Sequence, residues 1–380
     1  MARILVLGAG MVGSAMALDL AARHHVIATD RDAAVLTRLE GRSNPHTQVL
    51  DATDAAAVTA AVADVDLVVN AVPGFLGFQV LRTLIEAGKP IADISFFPEE
   101  ALDLDALAKE RGVVVVTDIG VAPGLDNLIL GHHDARMQVK RFECLVGGLP
   151  KHPVGPWNYK APFSPADVIE EYLRPARLFE GGQVVVKEAL SEPEPIEFEG
   201  VGVLEAFNTD GLRSLLRTMP HIPDMREKTL RYPGHRDLAL SLRESGFLSE
   251  EAVQVDGVMV KPHALTSAVL FDQWKLQPEE EELTVMRVTV EGEESGKAVR
   301  HVWQLHDAFD PATGISSMAR TTGYTCTGMA EQILAGAWAV PGVSPGEIVG
   351  REEAVFQGVL KYLEERGVHP RQETIVLESA

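Results

Sequence analysis

Three glycines, Gly8, Gly10 and Gly13, stand at GxGxxG spacing between the apolar run Ile4 to Leu7 and an Ala/Leu/Met-rich stretch of helix type. The chemistry this order serves is phosphate binding. Gly8 permits a tight turn, Gly10 lets backbone approach a pyrophosphate, and Gly13 lets the helix pack closely on the strand. The helix start, at Met11 and Val12, presents unpaired N–H groups to the phosphates. A second apolar run ends at Asp30, 17 residues beyond Gly13. A carboxylate there accepts both ribose hydroxyls of NAD and repels the 2′-phosphate of NADP. The adjacent Arg31 can hold that phosphate if Asp30 turns away, so NAD is expected and NADP stays open.

Further positions follow from where the next strands end. Thr47 to Asp51 reads as a third strand, and the helix after it can be capped by Thr53 or Asp54. Asp51 then either approaches the adenine or merely caps and faces water. Asp66 to Ala71 is a fourth strand, broken by Val72, Pro73 and Gly74. In a doubly wound sheet the turn after this strand overlies the cofactor. Asn70, alternatively a plain turn residue, and the backbone of Ala71, Val72 and Pro73 are therefore expected near the nicotinamide ribose. Helices at Phe78 to Gly88 and Leu102 to Arg111 alternate with strands at Pro90 to Ser95 and Val113 to Thr117, which gives a parallel sheet covered on both faces. Asp93 and Asp118 stand at or near the carboxyl ends of the last two strands, where an active-site cleft is expected.

Length and composition bound the function. A chain of 380 residues exceeds one ordinary core, so two domains are expected. The formal net charge of -21, from 34 basic and 55 acidic side chains, repels nucleic acid and anionic membrane and tolerates a cationic substrate. Cys144 and Cys326 read as buried thiols, not as a disulfide scaffold or a zinc site. His132 and His133, on a helix at Leu125 to Ala135, lack acidic or cysteine partners at metal-ligand spacing, and no metal is expected. A strand begins by residue 3, leaving no room for a signal peptide, and no apolar run approaches 18 residues. The expectation is a soluble, cytoplasmic protein.

The loop from Asp118 to Asn127 is read as the crossing into a second domain, with substrate nearby. From Phe142 onward strands shorten and loops lengthen. The loop from Gly148 to Pro165 carries Lys151, His152, Trp157, Asn158, Tyr159 and Lys160, a composition typical of a binding surface. Ser164 caps a helix opened by Pro165. Strands at Leu204 to Asp210, Lys228 to Arg231, Leu283 to Val290 and Ala298 to Leu305 describe a mixed sheet whose outer strands can pair with a second subunit. Met318 to Leu334 is a helix whose small residues suit close packing against the first domain. A helix at Glu352 to Arg366 and a polar tail follow.

The segments GAGMVG (from Gly8), VVNAVP (from Val68), DIGVAPG (from Asp118), GGLP (from Gly147), NYKAPFS (from Asn158), LEAFNTDG (from Leu204), KTLRYPGH (from Lys228) and ARTTGYT (from Ala319) together resemble the saccharopine dehydrogenase-like family, and within it the lysine 6-dehydrogenase branch. The likeness runs from residue 4 to about 330. It implies an N-terminal Rossmann domain (1–122), an inserted α/β mixed-sheet domain for substrate and oligomerisation (123–312), and C-terminal helices returning to the first domain (313–380). It also implies a homo-oligomer, with a dimer favoured, that uses a nicotinamide cofactor on an amino-acid-derived amine. For lysine, the terminal amine is oxidised, ammonia leaves and the semialdehyde cyclises to a piperideine carboxylate.

Such a reaction needs a neutral amine, hence an acceptor for its proton, and a cation for the α-carboxylate. The resemblance suggests Arg213 or Arg231 for the carboxylate, with Tyr159 and Asn158 orienting the substrate. Asp93 or Asp118 would bind an ammonium or relay a proton, Asp118 alternatively bracing its loop, and His235 would be the base. The alternative is saccharopine-type chemistry on a secondary amine, with Lys151, Lys160, Arg174 and Arg177 as further carboxylate partners, or a related polyamine or amino-acid dehydrogenase. A cofactor-binding protein without catalysis is the reading from another class.

Overall fold

Consecutive apolar residues in RILVL, LVVN and VVVT leave no polar face for water, so these strands belong inside a sheet covered on both sides. The computed structural model, described over residues 1–39, 45–277 and 280–377, contains that sheet. Its strands are Arg3–Leu7 (β1), His25–Asp30 (β2), His46–Val49 (β3), Leu67–Asn70 (β4), Ile91–Asp93 (β5) and Val114–Thr117 (β6). They run parallel in the order β6-β5-β4-β1-β2-β3. The direction of winding reverses between β1 and β4, and a crevice opens at their carboxyl ends.

The second domain is built on a long central strand, Gln138–Pro150 (β7). Ala176–Glu180 (β8) and Gln183–Lys187 (β9) form a hairpin, followed by Glu194–Phe198 (β10), Gly202–Asn208 (β11) and Asp224–Arg231 (β12). A separate hairpin, Val253–Val255 (β13) and Val258–Val260 (β14), precedes the long strands Glu282–Glu294 (β15) and Lys297–Ala308 (β16). Gly342–Pro345 (β17) and Arg371–Val376 (β18) complete the set. The mixed sheet runs β10-β11-β12-β7-β15-β16-β18, with β12 parallel to β7 and β8 pairing onto β12.

The chain then returns. β17 joins the first sheet beside β6, in parallel register from Gly342 opposite Val114 to Pro345 opposite Thr117. The helix Ser317–Leu334 lies against Met11–Ala21 so closely that a Cβ on Gly323 would sit 3.0 Å from Met16 Cγ. The polar tail expected from sequence is in part a strand: β18 pairs along β16 although all its side chains are exposed. Backbone hydrogen bonds hold it, with Gln372 and Thr374 also bonded to His301, and with no buried face its side-chain periodicity could not reveal it; residues 378–380 of that tail lie outside the described residues. No helix among the described residues is long and apolar enough to cross a membrane.

One carboxylate fastens the returning helices. Asp19 Oδ2 accepts from Thr327 Oγ1 at 2.6 Å and from Tyr362 OH at 2.7 Å, while Oδ1 accepts from Arg366 Nε at 2.6 Å. The Arg366 guanidinium stacks 3.3 Å from the Tyr362 ring centroid. Removing the carboxylate strands a nearly buried arginine and two hydroxyls. Asp19→Ala is expected to lower unfolding free energy by roughly 2–4 kcal/mol, read by urea denaturation; an unchanged midpoint would show that this contact is not what closes the fold.

Candidate active site

The glycine turn has the geometry its spacing predicts. Gly8 sits at φ +96°, and its N–H donates to Thr29 O at 2.9 Å. A Cβ on Gly8 would meet Ala71 O at 2.6 Å, and one on Gly13 would meet Gly8 O at 1.8 Å. At Gly10 nothing lies within 4 Å, so the backbone there is open to a ligand at the start of the helix Met11–Ala21. Asp30 Oδ2 accepts from Ala9 N, and Oδ1 from Asp32 N, both at 3.0 Å. The carboxylate is thereby tied to the turn it must face. Gly8, Gly10, Met11, Val12, Gly13, Asp30, Ala71, Val72 and Pro73 all line one cleft, joined by Val35 and Arg38.

Arg31, Asp51 and Asn70 are not on that lining. Asp51 is exposed and spends its carboxylate on Thr53 N and Oγ1, at 2.9 and 2.8 Å. Asn70 is fully buried and donates to Asp93 Oδ2 at 2.9 Å and Ser95 Oγ at 3.1 Å. Burial pushes the Asp93 carboxyl up to about 7, with the bonds from Asn70 and Ser95 opposing the rise. Asn70 and Asp93 thus brace the floor beneath Ala71–Pro73, and the structure does not bring Asp93 to a substrate.

The cleft, about 490 Å³ in volume, continues from the glycine turn into the second domain. There β12 presents Glu227, Thr229 and Arg231 at alternate positions, and the helix Pro165–Leu173 with its next residue presents Asp167, Glu171 and Arg174. Thr209, Asp210 and Gly211 come from the end of β11, and Phe163, Met318 and Thr322 supply apolar wall. Arg231 donates to Glu171 at 3.3 Å and to Tyr172 OH at 3.1 Å, with its guanidinium 4.6 Å from the Tyr159 ring centroid. Asp118 also lines the cleft, and its Oδ1 accepts from Arg213 Nε at 2.9 Å. Arg213 itself stands behind the lining, donating also to Phe97 O at 2.8 Å with its face on Phe96. It is committed to the protein, so of the two arginines expected to hold a carboxylate only Arg231 reaches the cleft.

His235 is placed differently from the sequence expectation. It is 1 % exposed, and both nitrogens are engaged: Nδ1 with Trp157 O and Nε2 with Tyr172 OH, each at 2.9 Å. A carbonyl only accepts, so Nδ1 carries the hydrogen and Nε2 accepts from the tyrosine. Burial, with Arg231 nearby, lowers its pKa to about 3. The imidazole is a neutral strut that orients Tyr172 and through it Arg231, and it does not reach the cleft. Tyr159 and Asn158 also lie off the lining, Tyr159 as the buried platform beneath Arg231. Of the further cations considered, Lys151 is bound by Glu281, Lys160 by Glu280 and Arg177 by Asp210, and only Arg174 faces the cleft.

Sequence reasoning missed Asp167, Glu171, Asp210 and Glu227. The signal for Glu227 was present as a two-residue alternation with Thr229 and Arg231, and that for Asp167, Glu171 and Arg174 as a helical spacing of four and three.

A glycine turn at the switch point of a doubly wound sheet, an anchored acid at the end of β2 and a charged cleft in a mixed-sheet partner define a two-domain protein with a Rossmann NAD(P)-binding domain. Comparison with known proteins narrows this. The profile "Saccharopine dehydrogenase NADP binding domain" matches residues 4–116, and "Saccharopine dehydrogenase C-terminal domain" matches residues 120–368. The chain belongs to the saccharopine dehydrogenase family.

Saccharopine dehydrogenase [NADP(+), L-glutamate-forming] of Pyricularia oryzae is 29 % identical over 214 residues, covering 53 % of this chain and 48 % of that enzyme. The enzyme of the same name from Schizosaccharomyces pombe is 27 % identical over 267 residues, 66 % of this chain and 59 % of its own length. Carboxynorspermidine synthase of Vibrio cholerae is 23 % identical over 90 % of both chains. The solved apo saccharopine dehydrogenase (L-Glu forming) of Saccharomyces cerevisiae superposes with a TM-score of 0.79 at 20 % identity, covering 99 % of this chain and 100 % of that one. These matches do not single out the lysine 6-dehydrogenase branch.

The placement of His235 has two measurable consequences. His235→Gln is expected to leave the neutral limb of the pH–rate profile in place, which a catalytic base could not do. It is also expected to lower stability at pH 7 by roughly 1–3 kcal/mol, through the unpaired Tyr172 or Trp157 group. The unfolded state protonates this histidine near 6.5 and the folded state only near 3, so His235 erodes stability as pH falls between those values; the variant should flatten that decline in acid-unfolding curves.

Proposed function

We propose that the chain is an NAD(P)-dependent oxidoreductase acting at the CH–NH or CH–NH₂ bond of an amino-acid-derived amine, in the manner of saccharopine dehydrogenase. The bound nicotinamide supplies the hydride exchange with the carbon that carries the nitrogen. The observation that carries this reading is the single cleft that joins the open backbone at Gly10 to Arg231, Glu171 and Glu227. Arg231, held planar by Glu171 and Tyr172, offers its remaining N–H groups to a substrate carboxylate, and Arg174 stands on the same wall. The names of the similar enzymes support a secondary amine, made or cleaved between an amino acid and a semialdehyde.

A second reading, oxidation of the terminal amine of L-lysine with release of ammonia, is favoured by charge. Apart from Asp30 and Arg38 at the cofactor end, the lining holds five carboxyl side chains, Asp118, Asp167, Glu171, Asp210 and Glu227, against two arginines. A substrate with two ammonium groups and one carboxylate suits that balance, whereas saccharopine brings three carboxylates.

For the cofactor, the anchored Asp30 supports NAD: its carboxylate stands where a 2′-phosphate would have to sit. A cytoplasmic homodimer is part of the same proposal. The dimer is supported by the hairpin β13–β14, whose Val253, Val255, Val258 and Met259 are 48–63 % exposed, since a hairpin of that composition is marginal without a covering partner.

Reduced-cofactor formation, followed with ammonia release across L-lysine, saccharopine and small diamines, separates the substrate readings. Turnover of saccharopine without ammonia is expected on the first, and one ammonia per reduced cofactor from L-lysine on the second; turnover of neither rejects both. With the active amine, kcat/KM for NAD should exceed that for NADP by at least about tenfold, and Asp30→Ser should narrow the gap; equal use of the two cofactors by the wild type would remove Asp30 as the determinant. A monomer at micromolar concentration in analytical ultracentrifugation would exclude the dimer.

A further inference from the structure

Three side chains from three elements meet at and just behind the wall of the cleft. Asp126 comes from the helix Leu125–Asp134, Cys144 from β7 and Glu227 from β12, and one ligand-type atom of each lies within 4.8 Å of the others. All three residues are buried. Gly124 N donates to Asp126 Oδ1 at 2.8 Å, but among the described residues neither Asp126 Oδ2 nor Glu227 Oε2 accepts a hydrogen bond from an N–H or O–H. Glu227 also lines the cleft. It is held there by backbone: a Cβ on Gly211 would lie 2.0 Å from the Glu227 carboxyl carbon, so only glycine leaves room for this acid.

Two buried carboxyls this close, each with an unpartnered oxygen, do not both ionise near neutrality. We propose that Asp126 and Glu227 hold one proton between them, and that Glu227, the member facing the cleft, takes the proton of the substrate's ammonium. This rests on the amine-oxidoreductase reading above. In the step, an N–H bond of the ammonium breaks and an O–H bond forms on Glu227. The electron pair stays on nitrogen, and nothing is oxidised or reduced. Asp126 is the positioning residue: it carries the shared proton while Glu227 is ionised, so Glu227 is the member free to accept.

The surroundings agree. Burial, then the negative charges of Asp126, Glu171 and Asp210, hold the Glu227 carboxyl well above the usual carboxylate range, with Arg213 opposing. Asp126 is pushed up to about 7 by burial, with the carboxylate of Glu347 adding and the Cys144 thiol and local backbone opposing. An exposed carboxylate near 4.3 is about 6 units too weak to deprotonate an ammonium near 10.4, and this environment narrows the gap.

The test uses the full chain with NAD and whichever amine the wild type oxidises, comparing Glu227→Gln and Asp126→Asn. Cofactor affinity, read by fluorescence, should stay within about twofold in both, which controls for folding. At pH 7, Glu227→Gln should lower kcat/KM by about 100-fold or more. Its remaining rate should climb about tenfold per pH unit toward the amine's own pKa, because solution then supplies the neutral amine. Asp126→Asn should keep the acid limb of the wild-type profile in place, because the neutral amide stands in for the protonated carboxyl. Difference infrared spectra at pH 7 should show the carbonyl stretch of one protonated buried carboxyl, lost in Glu227→Gln. Wild-type kcat/KM in Glu227→Gln, an equal loss at every pH, absence of that band, or a stoichiometric metal bound by Asp126, Cys144 and Glu227 would each overturn the proposal. A wild type that shows the band but oxidises no amine would instead overturn the functional reading, a result distinguishable from an active wild type with an equally active variant.

Discussion

The cleft depends on one buried ion pair between the two domains. Asp118, at the end of β6, and Arg213, in the loop after β11, sit 2.9 Å apart with side chains 5 % and 8 % exposed. Both residues occupy left-handed backbone conformations, φ 49° and 46°, which cost free energy unless the surroundings enforce them. Arg213 also donates to the carbonyl of Phe97 and lies against Phe96, so it reads the first domain at two strand ends at once. Leaving either charge unpaired in that interior would cost several kcal/mol. The pair therefore acts as a register pin: it fixes where the segment Thr209–Arg213 runs relative to the first sheet, and so where Gly211 presses on Glu227.

From that pin follows an uneven distribution of charge. Arg213, Arg177 and Arg231 each spend part of their donors on Asp118, Asp210 and Glu171, and these pairs stiffen the walls. Asp167 and the Asp126–Glu227 pair are left less fully compensated, while Arg174 is paired with Glu170. Burial raises the carboxyl of Asp167 to about 6, so it too exchanges a proton near neutrality more readily than a surface aspartate. A cleft of this kind discriminates by protonation state: an ammonium entering it finds carboxyl groups whose affinity for protons has been raised by the same burial that excludes water.

The first domain was legible because its constraints are local. The spacing of Gly8, Gly10 and Gly13 encodes contacts within a single strand–turn–helix, and Asp30 is positioned by the strand that ends at it. The second domain was legible only in outline. His235 and Asp93 are chemically competent residue types, but their roles are set by burial among Trp157, Tyr172, Asn70 and Ser95, partners up to 78 residues away in sequence. Glu227 lies beside Lys228 in a stretch dense with charge, and only the pairing of β12 between β11 and β7 tells which of the two faces the cleft. Lys228 goes the other way, to the carbonyl of Glu192 and the carboxylate of Glu194.

The C-terminal return closes the argument from the far side. Met318 and Thr322, which supply apolar wall to the cleft, lie in the first turns of the helix Ser317–Leu334. That start is fixed by Glu282 on β15, whose Oε1 accepts from Met318 N at 3.3 Å, and by Arg320, which reaches Asp307 on β16. Further along, the helix is tied to the first domain through Thr327 and Asp19. A single rigid rod therefore spans from the substrate sheet to the cofactor helix. Moving the two domains apart would have to break one of these attachments or bend the rod, and small residues such as Gly323 keep it flush against Met16. The chain's own C-terminal segment thus bridges the two domains across the cleft and opposes their separation.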